Sequence, residues 1–494
     1  MITDKRAYLK KIEEVNEKGK YKPDWGSLSF HKTPDWYYGG KLGIFIHYGV
    51  YSVPAYGNEW YSREMYDAST AAYRHHRETY GEQKHFGYKD FIPLFRAERF
   101  DADEWASLFK EAGARFVMPV AEHHDGFAMY RTAFNRWNAQ EMGPRRDILG
   151  EVKSACERAG LVFCASTHRA EHYFFMNMGR TFESDVNDEA FADFYDPAVY
   201  AEEFASQTLH ETTADNRSLP PSKEYLEDWL VRTCELIDGY RPKLLYFDWW
   251  IHNDAFKPYL KTLAAYYYNR AEEWGEEVSI NYKHEAFPPT VATFDVERGA
   301  LTGISPRPWQ TDTAVGKHAW GYARDNAFKS SRHIVADFVD IVSKNGMLLL
   351  NIGPKADGTI TAEETRVLRD LGAWLRANGE GIYGTTFYKT FGEGEANVGG
   401  GYFSDNDETA YTPRDFRFTY KDGCVYAFWM RPQGRECTLK TFAKRKKHDI
   451  GIESVTLLKT KERVPFERTE QGLTLRPSKE AEGDLPVGFK IKLL

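Results

Sequence analysis

The sequence predicts an α/β fold: a (β/α)8-like barrel of the TIM type, followed by a C-terminal antiparallel β-sandwich. Three observations carry that expectation. Short apolar runs alternate with helical patterns over residues 1–385, and such alternation builds βα units around a parallel sheet. About eight such runs can be counted, the number that closes a barrel. Polar residues recur at the C-terminal ends of several runs: His47, His123, His124, Ser166, His168, Asp248 and Asn281. In a barrel those ends converge on one mouth. A doubly wound dinucleotide-binding sheet would instead call for a GxGxxG turn, which the chain lacks.

The elements follow in order. Leu42 to His47 reads as the first strand. Asp101 caps a helix to Ala114 that places Trp105, Leu108 and Phe109 on one face. Arg115 to Ala121 is a strand, and Glu122-His123-His124-Asp125-Gly126 follows it. A helix from Asp147 to Ala159 ends at Gly160 and leads into the strand Leu161 to Ala165. Tyr225 to Ile237 is helical and precedes the run Leu244 to Phe247, bounded by Pro242 and Asn253-Asp254. Tyr259 to Trp274 is a helix and Val278 to Tyr282 a strand; Ala292–Phe294 and Trp309–Thr311 are weaker strands. The helix Ser330 to Val342, the strand Met347 to Asn351 and the helix Thr361 to Asn378 complete the set. Asp340 and Lys344 read as solvated charges on that part of the chain. Gly353 to Thr359 lacks the GxxxxGK[ST] spacing of a phosphate loop and reads as a turn. Beyond residue 386, Gly392, Gly394 and Gly399 to Gly401 read as a loose linker. Alternating runs such as Phe416–Tyr420 and Val425–Trp429 then mark an antiparallel domain over residues 386–494.

Composition narrows the function classes. A chain of 494 residues with 42% hydrophobic and 28% charged residues is globular. A net charge of -8 argues against a general nucleic-acid binder. Aromatic residues make up 15%, with 13 Trp and 31 Tyr, which fits carbohydrate contact. The five cysteines are odd in number and form no CxxC pair, so neither a disulfide framework nor a zinc site is expected. No apolar signal core follows the N-terminus and no run of 18 apolar residues occurs, so a cytoplasmic protein without a membrane partner is expected. A signal removed upstream stays open.

The candidate chemistry centres on Asp248. A carboxylate at the end of a buried strand is costly unless it is paired, hydrogen-bonded or used. It is therefore either a cap for the next element or a reacting group. Trp249 and Trp250 suggest an aromatic platform beside it, suited to a sugar ring with an apolar face and a polar rim. His123 and His124, adjacent on extended backbone, point in different directions. Recognition of substrate hydroxyls suits them better than chelation of one metal, although His47 and Asp248 could join them. Glu59-Trp60 reads as a rim contact or a surface loop. Glycoside hydrolysis needs two carboxyl groups flanking the bond. Glu297 in Phe294-Asp295-Val296-Glu297-Arg298-Gly299 can partner Asp248, unless Arg298 neutralises it; Glu285 is the second candidate.

Together these segments resemble glycoside hydrolase family 29, the retaining α-L-fucosidases, over roughly residues 30–385. The resemblance rests on Lys41 to Gly49 with Tyr51 to Pro54, Glu59-Trp60-Tyr61, His123 to Phe127, Trp137-Asn138 and Arg146-Asp147. It continues through Leu244 to Asp248, Ser343 to Gly346, Leu350 to Gly358, Asn378 to Glu380 and Ile382 to Thr385. It implies an irregular barrel with a β-sandwich, an exo-acting enzyme working by double displacement through a fucosyl-enzyme intermediate, and no metal or other cofactor. It puts the nucleophile on Asp248, the acid/base on Glu297 with Glu285 second, and fucose contacts on His47, Glu59, Trp60, His123 and His124. The substrate implied is a fucosylated oligosaccharide or glycoconjugate. A galactose-like glycoside or a non-catalytic sugar-binding barrel are the alternatives. Two departures stand out. Ser166-Thr167-His168 replaces the family's usual Tyr-Tyr-Ser run, so His168 takes the place of a tyrosine contact. Trp249-Trp250 stands where many members have glycine and reshapes the pocket. A homo-oligomer is compatible with the sequence.

Overall fold

The computed structural model describes residues 3–199, 220–396, 398–405, 407–445, 449–480 and 483–494. Nine strands form one parallel sheet: β1 (Leu42–Ile46), β2 (Phe116–Glu122), β3 (Val162–Phe163), β4 (Ala165–Thr167), β5 (Leu244–Phe247), β6 (Ser279–Tyr282), β7 (Thr293–Glu297), β8 (Trp309–Ala314) and β9 (Gly346–Ile352). The order is β1-β9-β8-β7-β6-β5-β4-β2-β3, and β1 also pairs with β2, which closes the barrel. β3 and β4 are two halves of one stave broken at Cys164: β3 pairs with β2, and β4 bridges β2 and β5. The eight staves that the apolar runs predict are therefore all present.

Their composition follows from burial on both faces, which demands near-continuous apolar runs. In β9, Met347 and Leu349 point into the barrel with Phe45, Phe116, Met118, Leu244 and Tyr246. Leu348, Leu350 and Ile352 point outward and pack beneath the surrounding helices. The two sets alternate because strand side chains have a period of two. Between the strands the helices are set by local signals. Asp147 caps Ile148–Ala159 through the Gly150 amide, and Gly160 ends it in the left-handed conformation at φ 73°. Thr361 and Glu364 form a capping box on Ala362–Asn378. Glu364 also accepts from the Gly353 amide at 2.8 Å, so the Gly353-Pro354 segment is a structural turn tied to that helix.

The C-terminal part holds two antiparallel sheets. β10 (Thr386–Glu393), β11 (Phe416–Lys421), β12 (Cys424–Trp429), β17 (Val487–Leu493) and β14 (Ile452–Leu457) form the larger; β13 (Cys437–Leu439), β16 (Gly472–Leu475) and β15 (Phe466–Thr469) form the smaller. Phe416, Phe418, Val425 and Phe489 of one meet Leu439, Leu473 and Leu475 of the other in a common core, so the packing is a sandwich. All five cysteines are free and buried. Among the described residues no helix is long and apolar enough to cross a membrane.

Two sequence expectations fail here. The glycine-rich linker is not loose: Thr386–Glu393 is strand β10, and Gly401 makes a β-bridge back to Ala300 beside the barrel mouth. A Cβ on Gly299 would lie 1.8 Å from the Gly401 carbonyl oxygen, so glycine is what lets the two backbones cross. Asp340 and Lys344 are not solvated. Both are buried, Lys344 donates to Asp340 at 2.6 Å, and Asp340 also accepts from Arg417 of β11 at 2.5 Å. The expectation failed because the partner that makes burial tolerable lies on a distant strand. This ion triad joins the barrel helix Ser331–Ser343 to the sandwich. Arg417→Met leaves Asp340 buried with half its neutralisation, and breaking a buried pair costs about 3–5 kcal/mol. A urea-unfolding midpoint lowered by the equivalent of about 3 kcal/mol is expected; an unchanged midpoint would refute the triad's structural role.

Candidate active site

The C-terminal strand ends surround a cavity of about 710 Å³, in the size range of a small-molecule site. His47 follows β1, His123 and His124 follow β2, His168 follows β4, Asp248 follows β5, Lys283 follows β6, and Glu297 ends β7. All line the cavity. Asp248 is thus not a cap.

Its carboxylate is gripped on both oxygens. Oδ2 lies 3.3 Å from His124 Nε2 and 3.2 Å from His168 Nδ1, and Oδ1 lies 3.1 Å from Lys283 Nζ. Burial alone would raise the Asp248 pKa, but Lys283, His168 and His124 outweigh it and hold the carboxyl well below its usual range. Glu297 sits opposite. Its Oε2 accepts from both Lys283 Nζ and Trp249 Nε1. Burial, opposed by Lys283 and reinforced by Asp248 and Asp312, pushes its pKa up to about 7. One ammonium therefore stands between the two acids. Each carboxylate oxygen is one hydrogen bond from it, which keeps them within about 6 Å of each other.

The imidazoles divide by charge. His124 donates through Nδ1 to the His168 carbonyl at 2.8 Å. Burial opposes its protonation, but Glu171 and Asp248 prevail and lift it to about 9, so it is a cation at neutral pH. Burial depresses His47, His123 and His168, which are neutral. The Asn351 amide nitrogen donates to the Trp320 carbonyl at 2.7 Å, so its oxygen is the acceptor for His47 Nδ1, also at 2.7 Å. That fixes the His47 tautomer and leaves Nε2 as an acceptor. His168 Nε2 pairs with Ser166 Oγ at 2.6 Å. Buried Glu59 accepts from the Trp320 and Gly321 amides at 2.8 and 3.1 Å, and Trp60 packs edge-on against His124 with ring centroids 6.0 Å apart. Neutral acceptors, a cationic donor and carboxylates on one wall suit a polyhydroxylated ligand.

The structure brings together Asp248, Glu297, His47, Glu59, Trp60, His123, His124, His168 and Trp249. It leaves Glu285 exposed in the turn after β6, outside the cavity. Arg298 does not neutralise Glu297; its guanidinium donates to the Gly316 and Lys317 carbonyls at 2.6 and 3.0 Å. The two tryptophans part company. Trp249 faces the cavity, while Trp250, at φ 77°, is buried and donates to Tyr173 at 2.7 Å. Sequence reasoning overlooked Lys283, Asp312 and Phe403. Lys283 had a usable signal, since it follows β6 directly, as Asp248 follows β5. Phe403 had none, because its segment reads as linker.

Among the described residues, two three-residue groups bring possible metal-ligand atoms within 4.8 Å: His47, His123 and His168; and His124, His168 and Asp248. The second includes His124, whose positive charge and occupied Nδ1 make it a poor ligand.

With this geometry in hand, comparison with known proteins is decisive. The family model described as Alpha-L-fucosidase matches residues 8–380. The chain belongs to the alpha-L-fucosidase family. It is accordingly a glycoside hydrolase by descent. It is 28% identical over 421 residues to the tissue alpha-L-fucosidase of Rattus norvegicus, covering 82% of this chain and 80% of that protein. Identity to the plasma alpha-L-fucosidase of Pongo abelii is 29% over 392 residues, 74% of this chain and 73% of the relative. The crystal structure of the Thermotoga maritima alpha-fucosidase in complex with fucose superposes with a TM-score of 0.75 at 29% identity, covering 95% of this chain and all of that one. The family resemblance and the barrel-plus-sandwich fold expected from the sequence both hold.

Lys283→Met removes the cation that lowers both carboxyls. Asp248 and Glu297 should then both titrate at higher pH, followed by NMR of carboxyl-labelled protein. Unmoved titrations would show that Lys283 does not control them.

Proposed function

We propose that the protein is an exo-acting retaining α-L-fucosidase that removes terminal fucose from fucosylated glycans. The observation that carries this reading is the Asp248–Lys283–Glu297 array: two acids close together, with their pKa values driven apart. Such divergence is how a site assigns nucleophile and acid. A spacing within about 6 Å matches the roughly 5–5.5 Å of retaining enzymes better than the wider gap that inverting enzymes need for a water.

In the first step Asp248 attacks the anomeric carbon, and Glu297 gives its proton to the departing glycosidic oxygen. The Asp248–sugar ester forms as the glycosidic bond breaks. In the second step Glu297, now ionised, takes a proton from water, and the water oxygen displaces Asp248. Two inversions return the sugar with its configuration retained. His47, Glu59, Trp60 and His123 hold the sugar's hydroxyls, while His124 and His168, with both ring nitrogens engaged, orient Asp248. Phe45 and Trp320 add an apolar wall to the cavity, 6.2 Å apart between ring centroids. That wall favours the C5 methyl of fucose over the hydroxymethyl of a galactose-like sugar. The intact acid pair speaks against a non-catalytic binding barrel.

Two outcomes check this. Glu297 must carry its proton to act, so kcat/KM should fall as pH rises through about 7. No matching loss should appear until the pH is low enough to protonate Asp248. A rate that climbs through neutrality would assign the acid elsewhere. Asp248→Gly should abolish turnover of an aryl α-L-fucoside, and added azide should restore cleavage with an inverted fucosyl azide as product. Absence of that product, with the variant folded, would remove Asp248 from the nucleophile's role.

A further inference from the structure

We infer that Trp249 and Phe403 form the subsite for the leaving group and receive a pyranose sugar by its apolar face. This rests on the carboxyl roles proposed above, because position relative to the acid is the core of the argument. The departing group must lie on the side of the residue that protonates its oxygen. Both aromatic residues hydrogen-bond to that residue, Trp249 through its side chain although it directly follows Asp248 in the sequence. Trp249 Nε1 donates to Glu297 Oε2, and the Phe403 amide donates to the Glu297 backbone carbonyl at 2.9 Å. Their rings run nearly parallel, 16° between planes with centroids 6.3 Å apart, and both line the cavity. Phe30, Leu94, Phe403 and Leu494 are the exposed large hydrophobics among the described residues, and of these Phe403 alone lines the cavity.

Phe403 is also held where it is at a cost. Its φ is 55°, in the left-handed region that a bulky side chain avoids. The flanking chain enforces this. Ser404 N donates to the Arg298 carbonyl at 2.7 Å, and Asp405 is locked by Lys329 at 2.5 Å and by Thr313. Strain of this kind gathers where a ligand is gripped. The occupant follows from what lines the cavity. Lys317 and His318 line the same cavity and offer polar contacts. Parallel aromatic rings in a cavity that also carries polar side chains match a pyranose, whose ring hydrogens form an apolar face bordered by hydroxyls. A simple aryl group would use the rings and leave Lys317 and His318 idle.

The test compares wild type, Phe403→Ala and Phe403→Trp on three kinds of substrate. These are α-L-fucosyl fluoride, whose leaving group is too small to reach the rings, an aryl α-L-fucoside, and a panel of α-L-fucosyl disaccharides. The readout is kcat/KM on each, divided by kcat/KM on the fluoride. For Phe403→Ala the disaccharide ratio should fall about tenfold, the scale of one aromatic stacking contact, and Phe403→Trp should restore it. An unchanged ratio overturns the inference. So does an equal loss on fluoride and disaccharide, which would make Phe403 a support for Glu297 instead. A fall confined to the aryl fucoside overturns the pyranose assignment. A wild-type protein unable to cleave the fluoride would count against the fucosidase reading itself, a result distinct from all of these.

Discussion

The buried ammonium of Lys283 is the constraint on which the site depends. Removing a lysine from water costs several kcal/mol unless it is closely partnered, and here it has three partners. Nζ reaches Asp248, Glu297 and, at 3.4 Å, Asp312. Asp312 in turn accepts from Tyr246 at 2.8 Å. Without the cation, three carboxyl groups would face one another in a poorly solvated cavity, and some would have to take up protons. With it, Asp248 stays ionised while Glu297 retains a proton near neutrality. The difference between the acids comes from their other neighbours. Asp248 also has His124 and His168, whereas Glu297 adds only the neutral Trp249 donor to the shared lysine. One cation placed asymmetrically among similar groups thus separates their roles.

That placement is a property of the closed parallel barrel. Seven of the functional side chains come from the ends of six strands or from the residues directly after them. Closure through β1 and β2 brings His47 round to face His123, with ring centroids 5.6 Å apart. The stiffness of the staves, packed on both faces, is what allows hydrogen bonds of this length to be prearranged before a substrate enters. Trp250 and Arg417 serve the same end from outside the cavity. The first anchors the chain just beyond Asp248, and the second ties the barrel to the sandwich.

Much of this was legible in the sequence, for a definite reason. Buried parallel strands need unbroken apolar runs, and a polar residue ending such a run is conspicuous, so Asp248, His47 and the His123-His124 pair could be read directly. Glu297 could be read as a carboxylate on a weaker run, though Glu285 could be told from it only by its exposure. What escaped were relations across long sequence distances. Lys283 looked like one more turn residue because its three partners are set by strand order. Asp340 and Lys344 looked solvated because Arg417 lies on a strand of the other sheet. The glycines near residue 400 looked like slack because composition records the ease of bending and not what the bend meets.

That last segment changes what the boundary near residue 386 means. The chain leaves the barrel, forms β10, and then returns to cross Gly299 at Gly401 before the rest of the sandwich is built. Its backbone amides complete the hydrogen bonding of Glu297 and Arg298. The two regions are consecutive in sequence yet not separable as modules. An exchange of sandwiches between relatives at the apparent boundary would carry away part of the cavity wall. For this architecture the useful seam lies beyond residue 405, so any diversification of the mouth must be inherited with the strand and crossing that precede it.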